Sequence, residues 1–134
     1  GPQPDALAGL RVPGNAICRT AVPQSEILHL RPELFVTHGS PSAFMESMQA
    51  GSPVLICSPA KDAPQIVDMA VTSGVGIKVD SPAAGTEEAL SRYRRQVRRS
   101  IMEALTKPHY AARALEVSQK LHQTGGGDAA GRLI

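Results

Sequence analysis

Three short apolar runs alternate with amphipathic segments in the middle of the chain. The runs lie at residues 34–37, 53–57 and 75–79. Continuous apolar runs are typical of strands covered on both faces of a parallel sheet. Residues 42–50 and 65–72 instead carry apolar side chains at helical spacing. This order predicts an α/β fold with a Rossmann-like parallel sheet flanked by helices.

Both helices between the runs have a predicted inward face. Phe44 and Met48 are one turn apart and should face the sheet, and Gly51 suits the left-handed position that ends this helix. The inward positions predicted for the second helix are Ile66, Met69 and Ala70.

Two C-terminal helices are predicted after the last strand. Thr86 suits the cap of a helix over residues 87–105, and Pro108 suits the first position of a helix that runs to about residue 123. The positions predicted to pack are Leu90, Tyr93, Val97, Ile101, Leu105, Leu115 and Leu121. After a glycine break at 125–127, Asp128 is a candidate cap for a last short helix.

The first of these helices is strongly basic. Its arginines are Arg92, Arg94, Arg95, Arg98 and Arg99. A solvated helix face is the simpler interpretation, and a docking face for an acidic partner or lipid headgroups is the alternative.

The N-terminal region has a weaker pattern. Residues 1–15 are rich in proline and glycine and are predicted to form a lead-in or linker before a domain at 16–134. Within that domain we expect a short strand at 16–18. We also expect a short helix that Ser25 caps and Pro32 ends.

Composition excludes several classes of function. A chain of 134 residues with 42% apolar residues suggests one domain with a real core. Aromatic residues make up only 3%, which argues against an aromatic RNA-binding platform. The net charge of +2 does not indicate a nucleic-acid partner. Cys18 and Cys57 are expected to be buried free thiols in a reducing, cytoplasmic setting.

The junction after the first predicted strand carries the most informative chemistry. His38 and Gly39 follow the strand end, and a helix begins directly afterwards. A helix start offers unpaired N–H groups and a partial positive charge, so this junction is a candidate phosphate site. A core strand followed by a merely capped helix is the alternative. Glu46 lies about two turns into the helix, where its carboxylate could accept hydrogen bonds from sugar hydroxyls.

Polar residues also follow other predicted strand ends. Gln24, His38 and Asp62 all stand after apolar runs. Ligands of open α/β sheets bind beyond the carboxyl ends of the strands, so these side chains are expected to share one rim.

Several short motifs follow one another along the chain: Val22-Pro23-Gln24, Leu34-Phe35-Val36-Thr37-His38-Gly39, Met45-Glu46, Gly51-Ser52-Pro53-Val54, Pro59 with Asp62, and Gly74-Val75-Gly76. Taken in this order, they resemble the nucleotide-sugar-binding, C-terminal half of UDP-glycosyltransferases with the GT-B fold. The resemblance covers residues 16–134 and implies a partial GT-B C-terminal domain ending in helices.

The resemblance implies roles for residues in three groups. The nucleoside-binding residues are Val22, Gln24 and Glu46, and the diphosphate-binding residues are His38, Gly39, Ser40, Ser42 and Ala43. Asp62 would bind the donated sugar. The donor substrate would be a UDP-sugar, and no cofactor or metal is implied, because the helix N-terminus and His38 supply the positive field.

The chain departs from the family pattern at several of these positions. Ala21 replaces the aromatic residue that would stack on the base, and Ser40 replaces the second glycine of His-Gly-Gly. Ser42-Ala43 replaces Asn-Ser, and Ala63 replaces the glutamine beside the acidic sugar contact. Each change removes a hydrogen bond or a stack, about 1 kcal/mol apiece, which predicts weak donor binding or a different donor.

The resemblance also implies partners. The family's acceptor-binding half, with its catalytic base, precedes this region, and no histidine here matches that base. Two further family strands also precede residue 16, so we expect an exposed sheet edge or a gap. The chain is then a fragment, a subunit that needs a partner chain, or a homo-oligomer that exchanges elements.

Three functions therefore stand as hypotheses. The first is the donor-binding portion of a UDP-sugar-dependent hexosyltransferase, inactive without the acceptor half. The second is a non-catalytic nucleotide-binding or scaffold module that retains the fold. The third is a related nucleotide-sugar enzyme such as an epimerase.

Overall fold

The computed structural model describes residues 8–59, 64–83 and 85–125. This part of the chain forms a parallel sheet of three strands in the order β1-β2-β3, with helices around it. The elements are α1 Gln24–His29, β1 Phe35–Thr37, α2 Pro41–Ala50, β2 Val54–Ser58, α3 Pro64–Thr72, β3 Gly76–Asp80, α4 Glu87–Thr106 and α5 Pro108–Gln123. The predicted α/β architecture with C-terminal helices is confirmed.

The central strand β2 is covered on both faces, as its apolar sequence predicts. Val54, Leu55 and Ile56 have no exposed surface. Val54 and Ile56 join the core under α2 and α3, whereas Cys57 lies on the opposite face below α4. Adjacent positions point to opposite faces because side chains alternate along a strand.

The main core joins α2, α3 and α5 to one face of the sheet. Its buried members are Phe44, Met48, Val54, Ile56, Val67, Ala70, Val75 and Ala114. Phe44 and Met48 are each 2% exposed, so the predicted inward face of α2 is confirmed. Gly51 has a φ of 75° and ends α2 in the left-handed conformation, also as predicted.

Helix α5 holds the far end of α2 in place. The Ser118 hydroxyl donates to the Gln49 carbonyl at 2.7 Å, and a Cβ on Gly51 would lie 3.3 Å from Ser118 Cβ. Glu103 accepts from Lys107 and Tyr110 where α4 turns into α5. The Lys107 ammonium lowers the pKa of Glu103.

Three packing predictions are wrong. Met69 is 51% exposed because Val67 and Ala70 take the inward face of α3, and Met69 lies about 100° around the helix from Ala70. Leu105 and Leu115 are largely exposed for the same reason, since their smaller neighbours Ala104 and Ala114 make the close contacts. Small side chains let the helices approach more closely than leucines would.

The predictions for the N-terminal region are also partly wrong. No strand forms at residues 16–18, because the Ala16 N–H donates to the Pro13 carbonyl in a turn, and Ile17 is 86% exposed. Cys18 is therefore exposed, whereas Cys57 is partly buried. Pro23, rather than Ser25, occupies the cap position of α1, and no side chain caps that helix.

Strand β1 is an open edge of the sheet. Among the residues that the structure describes, it pairs only with β2, and Val36 is 48% exposed. An apolar groove of about 420 Å³ runs from Val36 and Cys57 to α4, with Arg94 and Arg98 on its rim. The exposed edge is therefore as expected. No helix in the described ranges is long and apolar enough to cross a membrane.

Candidate functional site

A cavity of about 530 Å³ opens at the carboxyl end of β1. Its lining residues are Gln24, Phe35, Val36, Thr37, His38, Ser40, Ser42, Ala43 and Cys57. Five of these were predicted from the sequence as nucleotide-binding residues. The cavity therefore joins the start of α1, the end of β1 and the start of α2, which are separate stretches of sequence.

The turn between β1 and α2 depends on Gly39. Its φ is +91°, a conformation that side chains disfavour, and a Cβ there would lie 2.8 Å from Ile56 Cγ2. The Gly39 N–H donates to Thr37 Oγ1 at 3.2 Å within the turn. This bond fixes the turn, but it also takes one N–H away from any ligand.

Ser40 is the N-cap of α2. Its hydroxyl accepts from the Ala43 N–H at 3.4 Å, and Pro41 stands at the first helical position. Proline has no N–H. Within the described part of the chain, the Ser40 and Ser42 N–H groups have no acceptor. The helix start thus presents fewer free donors than its sequence suggests.

Gln24 and Glu46 meet beside this cavity. Gln24 Nε2 donates to Glu46 Oε2 at 3.2 Å, and both side chains are partly buried. Gln24 begins α1 and does not follow a strand, so the reason for expecting it at the rim is wrong. Gln24 nevertheless lines the cavity. Packing of α1 against α2 brings the two residues together.

His38 and Val22 are both exposed near the site. The His38 side chain makes no hydrogen bond or ion pair with any residue that the structure describes. Val22 is 53% exposed and directly precedes the Pro23 cap of α1. Asp62, the predicted sugar contact, lies outside the described residues.

A larger cavity, of about 730 Å³, has Glu46 itself among its lining residues. It is lined mainly by His29, Arg31, Gln49, Leu121 and His122. His29 Nδ1 lies 2.6 Å from the Ser25 carbonyl oxygen. Size alone would favour this cavity, but it lacks the strand-end turn and helix start, so the smaller one is the better candidate.

Four residues that line the cavity were not among the predicted site residues: Phe35, Val36, Thr37 and Cys57. Thr37 orients the Gly39 turn, and Cys57 reaches the cavity from the neighbouring strand. The parallel pairing of β1 with β2 could have indicated Cys57, because adjacent strands end at the same rim. Among residues 8–59, 64–83 and 85–125, no group of three or more histidine, cysteine or acidic side chains could hold a metal ion.

Comparisons with known proteins identify relatives of this chain among the glycosyltransferases. No family model matches the chain. The uncharacterized UDP-glucosyltransferase YojK of Bacillus subtilis is 32% identical over 123 residues, which is 92% of this chain and 28% of the relative. The NDP-glycosyltransferase YjiC of Bacillus licheniformis is 31% identical over 128 residues, 89% of this chain and 28% of the relative.

The solved structures that resemble this chain are also glycosyltransferases. The glycotransferase of kitacinnamycin superposes with a TM-score of 0.71 at 27% identity, over 91% of this chain and 29% of that protein. The chain is homologous to one part of the GT-B glycosyltransferases. The spinosyn rhamnosyltransferase SpnG, solved with thymidine diphosphate, has the same fold at a TM-score of 0.70 and 23% identity, over 89% of this chain.

The resemblance expected from the motifs is therefore confirmed at the level of this glycosyltransferase family. The chain spans less than a third of the length of the relatives that it matches. The three parallel strands, their helices and the C-terminal helices match a portion of the GT-B glycosyltransferase structures.

Proposed function

We propose that this chain is the donor-binding portion of a UDP-sugar-dependent glycosyltransferase that transfers a hexose to an acceptor hydroxyl. The observation that carries this proposal is the Gln24–Glu46 hydrogen bond beside a cavity that also holds His38 and the start of α2. These groups differ in chemistry, and each suits a different part of a nucleoside diphosphate. Homology to UDP- and NDP-glycosyltransferases supports the same assignment.

The diphosphate would bind in this cavity, and the nucleoside would extend past Gln24 towards Glu46, which lines the neighbouring larger cavity. Glu46, held by Gln24, would accept hydrogen bonds from the ribose hydroxyls, and Val22 would contact the base. His38, with the Ser40 and Ser42 donors, would bind the diphosphate at the positive end of α2. Gly39 lets the backbone approach the phosphates, and Ala43 contributes its N–H. Asp62 would bind the transferred sugar.

This arrangement suits the leaving group of a glycosyl transfer. An acceptor hydroxyl attacks the anomeric carbon, the bond from that carbon to the diphosphate oxygen breaks, and the configuration inverts. Donors fixed around the departing diphosphate stabilise its growing negative charge. The acceptor hydroxyl and the base that takes its proton would come from an acceptor-binding half, so we expect no transfer by this chain alone.

The acceptor half or a partner chain would also cover the open β1 edge. An edge strand leaves a row of backbone N–H and C=O groups unpaired, here beside an apolar groove. Pairing with another strand satisfies these groups. For the isolated chain, a second copy is the simplest partner.

The test is a titration with UDP followed by backbone amide signals, using His38→Ala and a matched His109→Ala control. His109 is an exposed histidine on α5, far from the cavity in sequence. We expect shifts at residues 39–43 and at Gln24 that His38→Ala reduces and His109→Ala does not. No response of the folded wild type to millimolar UDP would contradict the donor-binding function.

A non-catalytic scaffold module is the second candidate. It is favoured by the small number of free N–H groups at the start of α2 and by Ala21 in place of a stacking aromatic. Failure to bind UDP, together with a stable fold, would support it.

A further inference from the structure

The donors at the start of α2 fall short of what a diphosphate needs. Three of the five positions from Gly39 to Ala43 have no N–H to offer in the free protein. The Gly39 N–H is bonded to Thr37, Pro41 has none, and the Ala43 N–H is bonded to Ser40. A diphosphate carries several charged acceptor oxygens, so binding must recruit further donors.

The bond between Ala43 and Ser40 is the one that can be given up. Its N···O distance of 3.4 Å is long for an N–H···O hydrogen bond, and Ser40 is partly exposed. The Gly39–Thr37 bond is buried and sustains the left-handed turn, so losing it would disrupt the strand end. The weaker, more accessible bond is therefore the one available for exchange.

A serine hydroxyl can serve on both sides of such an exchange. It accepts a hydrogen bond through its lone pairs and donates one through its own proton. Ser42 Oγ lies 3.5 Å from Ser40 Oγ, so the hydroxyl already has a second polar neighbour on the cavity side. Rotation about one bond of the Ser40 side chain would release the Ala43 N–H.

We infer that Ser40 switches from helix cap to phosphate donor when the nucleotide binds. In the free protein its oxygen accepts from the Ala43 N–H. In the complex a phosphate oxygen takes that N–H, and the Ser40 hydroxyl turns to donate to a second phosphate oxygen. The helix end thus stays capped in both states, first by serine and then by ligand. This inference rests on the proposed donor-binding function.

Substitutions at Ser40 separate the two roles. Ser40→Ala removes both, and we expect UDP affinity to fall about tenfold, as for a lost hydrogen bond to a charged group. Ser40→Asp caps the helix well but can only accept and repels phosphate, so UDP binding should be lost while the fold is kept. Ser40→Thr keeps both functions and should bind UDP nearly as wild type does.

The decisive measurement is amide hydrogen exchange at Ala43. In Ser40→Ala, exchange should be fast without ligand and should slow when UDP is saturating, because a phosphate oxygen replaces the missing cap. Thr86→Ala is the matched control, since Thr86 Oγ1 accepts from the Ala89 N–H at 3.3 Å in the same way but at the start of α4. In Thr86→Ala, the Ala89 amide should exchange fast both without UDP and with saturating UDP.

The outcomes separate this inference from the function on which it rests. If wild type binds UDP but Ala43 in Ser40→Ala exchanges equally fast with and without UDP, the switch is wrong and the donor site stands. If wild type binds no UDP, both proposals fall. If Ser40→Ala does not fold, Ser40→Gly gives the same test, because glycine is a tolerated N-cap that also lacks the hydroxyl.

Discussion

The Gln24 side-chain amide holds the Glu46 carboxylate from 22 positions away, with Nε2 and Oε2 3.2 Å apart. Within the described part of the chain, the Glu46 carboxylate has no other hydrogen-bond partner. Its second oxygen therefore has a fixed direction and open acceptor capacity. A carboxylate oriented in this way suits a pair of neighbouring hydroxyls better than a single one.

Glu46→Gln should weaken UDP binding about tenfold, because it replaces a charged acceptor with a neutral group that can also donate. The loss should be smaller for 2′-deoxy-UDP, which lacks one of the hydroxyls. Calorimetric titration of both nucleotides measures the difference. Glu26→Gln is the control, since Glu26 is exposed on the first turn of α1. Equal losses for the two nucleotides would contradict a ribose contact.

Gly39→Ala should destabilise the fold by about 2–4 kcal/mol. Alanine at a φ of +91° is strained, and its Cβ would collide with the Ile56 side chain at 2.8 Å. Urea unfolding measures the change. Gly85→Ala is the control, because a Cβ there meets nothing within 4 Å, and its effect should stay within about 0.5 kcal/mol. Similar losses for both variants would show that the turn does not depend on glycine.

The Tyr93 hydroxyl should ionise well above the ordinary tyrosine range. Burial, and then its hydrogen bond to Cys57, raise the pKa of Tyr93 to about 12 from 10.0. The folded state therefore keeps this proton where the unfolded chain loses it. Stability from this group is complete below pH 10 and is lost as the pH rises towards about 12.

Ultraviolet titration of phenolate absorption tests this in a Tyr110→Phe background. That background is needed because burial also raises the pKa of Tyr110. Ionisation of Tyr93 near pH 10 in the folded protein would show that α4 does not cover the sheet at Cys57.

The isolated chain should self-associate through β1, with a dissociation constant that Val36→Lys raises about tenfold or more. Val36 is 48% exposed on the open edge, and Val12→Lys is a matched control because Val12 is 42% exposed but lies outside the sheet. Sedimentation over a range of concentrations measures the association. Salt should strengthen it, since Arg94 and Arg98 flank the groove and repel a second copy. A wild type that stays monomeric throughout would exclude this pairing.

The sheet was predictable because its signal is strong and local. The apolar runs, the short links and the glycine at Gly51 all indicate the same order of elements, and the structure follows it. Residues 16–18 were mispredicted because three apolar residues cannot form a strand without a neighbour to pair with. The exposure of Met69 was hidden because only the contacts of α3 decide which of several apolar residues faces inward.

Five of the nine residues that line the candidate cavity could be named from the sequence, whereas the hydrogen bonds around it could not. His38, Gly39 and Ser40 are adjacent in sequence, so the turn could be found directly. That Ser40 occupies the Ala43 N–H depends on a side-chain torsion that no sequence pattern specifies. The distance between Gln24 and Glu46 likewise depends on how α1 packs against α2.

The Ser118 hydrogen bond to the Gln49 carbonyl sets a lower limit on the part of this polypeptide that can fold as a unit. The last carbonyls of a helix have no partner within it, and here a residue 69 positions later supplies one. Although α5 contributes no side chain to the cavity at β1, deleting it would release one end of the helix whose other end lines that cavity. Any domain boundary drawn before Ser118 would therefore remove a support of the candidate site.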